Sequence, residues 1–378
     1  MSQRTVVLYE GDDPDLAAVA AAVRAAIGVS DDEPEDESTA GAIALPVSDA
    51  AALEAASLAD ADVAVVLDEA SQARARAAGV RRLVALLAPL DAPGWELDAD
   101  VVLVAHEVLV PELVARGVAR ERVRVAGPVA PAGWAPHPER EALRARLGLG
   151  ADRPWVVVRA AALDLEDLAP SLVQLSLVSP RAAWIFDVGA DAEAARLLRR
   201  RVPGYGLDAH MVADGPDALD AYQAADLVLG RIGGVEALRA FATGAGLVTP
   251  SPARAHLGLA HRVETAGLAQ IADAAATLSV TLDAALAPAA LAAARATSLG
   301  LDAAGGAARV ALALRALEER IADAPPAGLP RGIERLSDPE AAIEGAPERA
   351  PGDAKARHDD LEKKVDDELA ALRRKLGL

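Results

Sequence analysis

The chain contains no cysteine, which excludes disulfides and thiolate metal sites and fits a reducing compartment. Aromatic residues are scarce, at 2% of 378 residues, so few side chains could stack on bases. Positive charge is outnumbered: 38 Lys and Arg face 57 Asp and Glu, for a formal net charge of −19. Together these scarcities count against nucleic-acid binding. The acidity would also repel an anionic lipid surface unless a local basic patch intervened. No apolar run reaches the ~18–20 residues a membrane span needs. The opening MSQRTVVLYEGDD turns acidic too early for a signal peptide. A cytoplasmic protein without a transmembrane segment is expected.

What is present is apolar and aliphatic. Hydrophobic residues make up 52% of the chain, enough for two buried cores at this length. With so few aromatics, those cores must be built from Ala, Val and Leu, a composition that suits helices packed on parallel sheets. Apolar runs alternate with Ala/Leu/Arg helical patterns, the signature of βαβ units. The first half predicts strands at Thr5–Tyr9, Gly41–Pro46, Asp62–Leu67, Arg82–Leu87 and Val101–Ala105, with helices at Asp15–Ile27 and Ala50–Ala59 among them. The acidic stretch Asp31–Ser38 reads as a solvated loop. A proline-rich linker follows at residues 130–138. The helix Glu139–Leu147 then leads to strands at Trp155–Arg159, Ala183–Asp187, Asp208–Val212, Leu227–Leu229 and Gly246–Val248.

The expected organisation is a Rossmann-like domain over residues 1–130 and a second over 131–323. A Pro/Glu/Gly-rich flexible tether follows over 324–353, and an amphipathic helix over 354–378. In that last segment Val365, Leu369, Leu372 and Leu376 form a narrow apolar seam. The Leu361–Leu376 helix could dock on the body, associate with a protein partner or a second copy, or remain a frayed tail.

The most informative stretch is Ala225-Asp226-Leu227-Val228-Leu229-Gly230-Arg231-Ile232-Gly233-Gly234-Val235-Glu236. It reads as a buried strand, a glycine turn and a helix start, the arrangement that brings backbone N–H groups close to a phosphate. With it come Arg116-Gly117-Val118 and Glu121–Pro128 before the linker, then Arg140–Leu149, and then Tyr222–Val228, in that order. This series resembles two-domain GT-B glycosyltransferases, in particular the group that includes the peptidoglycan-precursor N-acetylglucosaminyltransferase and the diacylglycerol glucosyltransferases. The resemblance covers residues 100–320 and implies an α/β fold of two Rossmann-like domains facing a cleft. It also implies a nucleotide-sugar donor of the uridine diphosphate type, and neither cofactor nor metal.

Where the chemistry of that family sits, this chain departs from it. The Gly-Gly-Ser-type loop after the first strand of the second domain is replaced by Arg159-Ala160-Ala161-Ala162-Leu163-Asp164. Arg159 could clamp phosphate in its place, or be a surface or inter-domain arginine. After Gly233 and Gly234, Glu236 stands at the family's Thr position and Arg239 at its Glu position. Glu236 suits the positive end of a helix but would repel a diphosphate. Arg239 cannot accept hydrogen bonds from ribose hydroxyls. Beyond Pro250 the sugar-binding Gln/Glu and Asn are missing, leaving His256 and His261 as candidates too poorly spaced for a metal pair. In the first domain no His follows the opening strand. Asp12 and Asp13 could act as a base there or cap the helix at Asp15, and His106 faces the presumed cleft.

These departures favour a GT-B protein that has lost catalysis and acts in binding or scaffolding. The alternative is a divergent, active inverting transferase using Arg159, Gly233, Gly234, Arg239 and His256 around the donor and Asp12, Asp13 or His106 near the acceptor. A ligand sensor read out through the C-terminal helix is the third reading.

Overall fold

The computed structural model describes residues 5–11, 14–28, 61–90, 94–131, 133–148, 153–163, 165, 168–179, 181–250 and 257–322. The chain divides into two units, Met1–Ala322 and Asp323–Leu378, and the second lies outside the described residues. So do the expected strand Gly41–Pro46, the helix Ala50–Ala59 and the Leu361–Leu376 helix.

Two all-parallel sheets organise Met1–Ala322. The first consists of β1 (Thr5–Leu8), β2 (Val63–Val66), β3 (Arg82–Leu87), β4 (Val101–Val104) and β5 (Val123–Val125), paired in that order. The second orders its strands β11-β10-β9-β6-β7-β8. In chain order these are β6 (Trp155–Arg159), β7 (Ala183–Asp187), β8 (Ala209–Val212), β9 (Leu227–Leu229), β10 (Gly246–Pro250) and β11 (Gln270–Ala272). β2, β7 and β9 are buried along their whole length and β6 nearly so, as expected for strands covered by helices on both faces. The sequence patterns locate nine of these strands to within two residues at either end. The sequence patterns do not mark β5 and β11, each three residues long.

Strand order reverses between β6 and β9, which pair directly, Val158 opposite Leu229. In parallel α/β sheets the crevice at such a reversal, beyond the carboxyl ends of the strands, is where ligands bind. Arg159 ends β6, Asp187 ends β7 as the register partner of Arg159, and the Gly230–Gly234 turn leaves β9. The fold therefore delivers all three to one place.

Helices α1 (Pro14–Gly28), α2 (Glu69–Ala77) and α3 (Val110–Ala115) belong to the first half, and α4 (Arg140–Arg146) follows the linker. The second half contributes α5 (Leu168–Ser176), α6 (Ala192–Arg201), α7 (Pro216–Ala224), α8 (Val235–Thr243), α9 (Leu257–Thr265), α10 (Leu278–Ala285) and α11 (Pro288–Gly300). The last helix, α12 (Gly306–Ala322), returns to pack on α1, where Val310 and Leu314 share a buried cluster with Val7, Val19 and Val23. Among the described residues, no single helix is long and apolar enough to cross a membrane.

Two motif pieces quoted above prove to be halves of one clamp. Asp226, in the Ala-Asp-Leu-Val run, accepts from Arg140 (2.7 Å) and Arg144 (2.5 Å) of α4, and from the Trp155 amide (2.9 Å). The Arg144 guanidinium also lies 5.5 Å from the Trp155 ring. The clamp fastens the helix after the linker to the amino-terminal ends of the central strands β6 and β9. Burial pushes the Arg140 pKa down, and Asp226 partly offsets this.

Candidate functional site

Asp187 is the centre of the site. Its apolar strand, Ala-Trp-Ile-Phe-Asp, carries the carboxylate to the crevice with no exposed surface. One oxygen accepts from Arg159 Nη1 (2.8 Å) and the Gly189 amide (3.0 Å). The other accepts from the Tyr222 hydroxyl (3.0 Å) and Arg239 Nη1 (3.1 Å). A carboxylate taken out of water must be paired and hydrogen-bonded in this way. Asp214 supplies a second negative charge, 3.6 Å from Arg239 and 4.0 Å from Arg159. Two guanidiniums and two carboxylates thus neutralise one another.

The surroundings hold this cluster tightly. Burial opposes the charge on Arg159, but Asp187, Tyr222 and Glu236 outweigh it and raise its pKa above the ordinary arginine value. Burial, followed by the charge of Asp187, pushes the Tyr222 hydroxyl well above the usual phenol range. Gly189 is left-handed (φ +57°), and a Cβ there would meet the Arg159 guanidinium at 2.8 Å. The turn after β7 therefore needs glycine twice over. Above Arg239, the linker residue Trp134 places its ring 4.7 Å from the guanidinium carbon, within cation–π range.

The glycine turn after β9 is filled from within. The Gly234 amide donates to the Arg231 carbonyl (3.0 Å) to close it. Glu236 is 1% exposed and folds back over this turn, its Oε1 accepting from the Arg231 amide at 2.9 Å. A Cβ on Gly230 or Gly234 would overlap the Glu236 side chain. The glycines that would let a phosphate approach here make room for the chain's own carboxylate. All nine residues of α8, whose N-terminus this is, are buried.

The first half repeats the device. Asp68, at the carboxyl end of β2, accepts from the amides of Glu10 (2.8 Å) and Gly11 (3.1 Å) after β1. It also caps α2 through the Ser71 amide (2.7 Å). Glu10 pairs with Arg74 at 2.5 Å.

The structure brings Arg159, Glu236 and Arg239 together. Arg159 is 19% exposed, with its Nη1 held on Asp187. His106 is a cap: its Nδ1 accepts from the Val108 amide at 3.3 Å. Burial lowers its pKa, with Glu107 partly opposing. Asp12, Asp13 and His256 lie outside the described residues, and Gly233 lies in the turn with partial exposure. Sequence reasoning missed Asp187, Tyr222, Asp214, Trp134 and Asp68. The available signal for Asp187 was an acid closing an otherwise apolar strand beside Arg159. Among the described residues, no cluster of His, Asp and Glu could hold a metal ion.

Comparison with solved structures decides the architecture. HepE from Anabaena, crystallised with UDP and glucose, superposes with a TM-score of 0.55 at 14% identity, over 85% of this chain and all of the other. The fold is GT-B. A glycosyltransferase from Rickettsia africae shares it (TM-score 0.54, 10% identity, 86% of this chain and 100% of that one). So does a Listeria monocytogenes protein assigned as a UDP-N-acetylglucosamine 2-epimerase (TM-score 0.55, 14% identity, 84% and 97%). No protein-family model and no curated protein sequence matches this chain. The GT-B fold thus serves transferases and an epimerase-like protein alike, and the site must decide between activities.

Proposed function

We propose that this is a glycosyltransferase-like GT-B protein that has lost sugar transfer and acts as a binding or scaffolding protein. The observation that carries this reading is the seating of Glu236 on the Arg231 amide, inside the Gly230–Gly234 turn. An anion already occupies the place where amides of this fold would meet a donor phosphate, and a second anion would be repelled. Arg159 and Arg239, which could compensate, are committed to Asp187 and Asp214, and Arg231, in the turn itself, holds its Nε 3.4 Å from Glu236 Oε1. The ordered motifs support an origin near the peptidoglycan-precursor N-acetylglucosaminyltransferase and diacylglycerol glucosyltransferase group. The lack of cysteine supports a cytoplasmic setting.

Because HepE was crystallised with UDP and glucose, uridine diphosphate sugars are the ligands to test. Thermal unfolding of the full chain is measured with UDP, UDP-glucose and UDP-N-acetylglucosamine. A ligand at a hundredfold excess over its Kd stabilises the native state by about 2.7 kcal/mol, a shift the assay resolves. No shift is expected. A selective shift with one nucleotide sugar, together with transfer abolished by a bulky residue at Gly233, would replace this reading with that of a divergent active transferase.

A further inference from the structure

A helix that is apolar all round is ordinarily buried on every side, and α5, Leu-Ala-Pro-Ser-Leu-Val-Gln-Leu-Ser, is such a helix. Residues 168–180 carry no charge, and residues 274–294, which include α10, carry one, Asp283. Over the whole chain 25% of residues are charged, so both stretches are depleted several-fold. The two helices lie side by side. Ser279 donates to Gln174 Oε1 through its hydroxyl (2.7 Å) and its amide (3.3 Å). The Ser179 amide donates to Asp283 Oδ1 (2.7 Å), which occupies that lone charge.

The inner faces of the pair meet the second sheet, where Leu172, Leu175, Leu278 and Leu282 share a buried cluster with Val158 and Phe186. The outer faces are apolar too. Val173, Leu177 and Val280 are 42%, 60% and 69% exposed. Val173 and Val280 are the chain neighbours of the tied Gln174 and Ser279, and Leu177 follows one turn after Val173, so the three gather along one seam. Exposed apolar surface that is gathered in this way marks a site for a partner.

The charge of the chain argues which partner that is. At a formal net charge of −19, two copies repel one another over most of their surfaces, and they can touch only where neither brings a charge. A basic partner would be drawn to the acidic surface instead. We propose that the α5–α10 face joins two copies of this chain about a two-fold axis, so that the uncharged patch meets itself. The cores of protein interfaces are depleted in charge in the same way. Three exposed large side chains from each copy make a small contact, so the dimer is weak and depends on concentration. This inference goes beyond the proposed function and stands whether or not a nucleotide sugar binds.

Sedimentation equilibrium of the full chain over about 1–300 μM tests this. The mass should rise with concentration from 38.7 kDa toward twice that value. Added salt should strengthen the dimer, because it screens the repulsion and leaves the apolar contact in place. Leu177→Glu together with Val280→Glu sets carboxylates of both copies against one another and should raise the dimer Kd at least about tenfold. Leu312→Glu, at an exposed leucine of α12, which packs on the first half, should leave it unchanged. A parent that stays monomeric throughout overturns the proposal, and so does a dimer that salt dissolves or that Leu312→Glu weakens equally. A dimer that survives the paired substitution overturns it as well, and one held through Val365, Leu369, Leu372 and Leu376 would survive in that way. If the paired variant does not fold, Val280→Glu alone carries the comparison: a weakened dimer supports this face and an unchanged one overturns it. No nucleotide enters this measurement, so its failure is distinct from failure of the thermal-shift test.

Discussion

Replacing Asp187 with asparagine keeps the shape of the side chain and removes its charge. In the parent, both oxygens accept, one from Arg159 and the Gly189 amide, the other from Tyr222 and Arg239. An asparagine can serve only one of these pairs with its oxygen, and it turns an NH2 toward the other. Whichever way it faces, Arg239, 4% exposed, loses its principal counter-charge. Breaking one side of a buried ion pair costs about 3–5 kcal/mol, because the remaining charge stays out of water. For the unit Met1–Ala322, an unfolding entropy of ~2.1 cal/mol/K per residue sums to about 0.7 kcal/mol/K, so Tm should fall by about 4–7 °C. Urea titration and calorimetry of the full chain measure this. A double-mutant cycle with Arg239→Met should give a favourable coupling above about 1 kcal/mol, since removing both partners relieves the unpaired charge. An Asp187→Asn variant melting within about 1 °C of the parent would refute the reasoning, because a solvated or loosely held carboxylate is the only kind whose charge is so cheaply lost.

Two further outcomes follow from the turn and the cap. Gly234→Ala should cost about 1–3 kcal/mol through overlap with Glu236, although the Gly234 backbone, at φ −87°, suits alanine. In a Glu236→Ala background that cost should vanish by urea titration, and a cost that persists would contradict the filled turn. His106, with its pKa lowered chiefly by burial, contributes stability in full above the ordinary imidazole value of about 6.5. That contribution is lost as pH falls through the lower folded value, since the unfolded chain then binds the extra proton. His106→Gln should therefore lose less stability than the parent between neutral and acid pH, and parallel profiles would argue against it.

The architecture was legible because its signals are local. The run Trp155–Arg159 reads as a buried strand from five residues alone, and so does Ala183–Asp187. The Gly-rich turn between Leu229 and Glu236 announces a strand-to-helix junction by composition. What the sequence could not convey was the pairing of groups far apart in the chain. Asp187 lies 52 residues from Arg239 and 35 from Tyr222, and only the order of strands β6, β7 and β9 brings them together. Trp134 looks like an ordinary linker aromatic until the packing of α7 and α8 places Arg239 beneath it. Glu236 was read as a helix-dipole residue, and it does lie in the first turn of α8. Its carboxylate nevertheless turns back onto the Arg231 amide, a choice fixed by the space above Gly230 and Gly234.

One physical requirement relates the altered positions. Amides at the carboxyl ends of parallel strands attract an anion, and among the described residues this chain supplies its own at three such turns: Asp68, from the end of β2, at the turn after β1, Asp187 at the turn after β7 and Glu236 at the turn after β9. On the reading proposed above, a Ser or Thr hydroxyl at a turn so filled would have no phosphate to meet, and a glycine loop after β6 nothing to wrap. Arg239 and Arg159 fit the same logic, because a buried Asp187 requires cations beside it. The departures from the transferase pattern are therefore one compensated set, in which each charge depends on another. Changing Glu236 to threonine would take its carboxylate out of the turn, yet leave Arg239 on Asp187. Changing Arg239 alone would leave Asp187 short of a partner. On the reading proposed above, a donor site would need Glu236, Arg239 and Asp187 changed together, since changing Asp187 or Arg239 alone leaves an uncompensated buried charge and changing Glu236 alone leaves Arg239 in place.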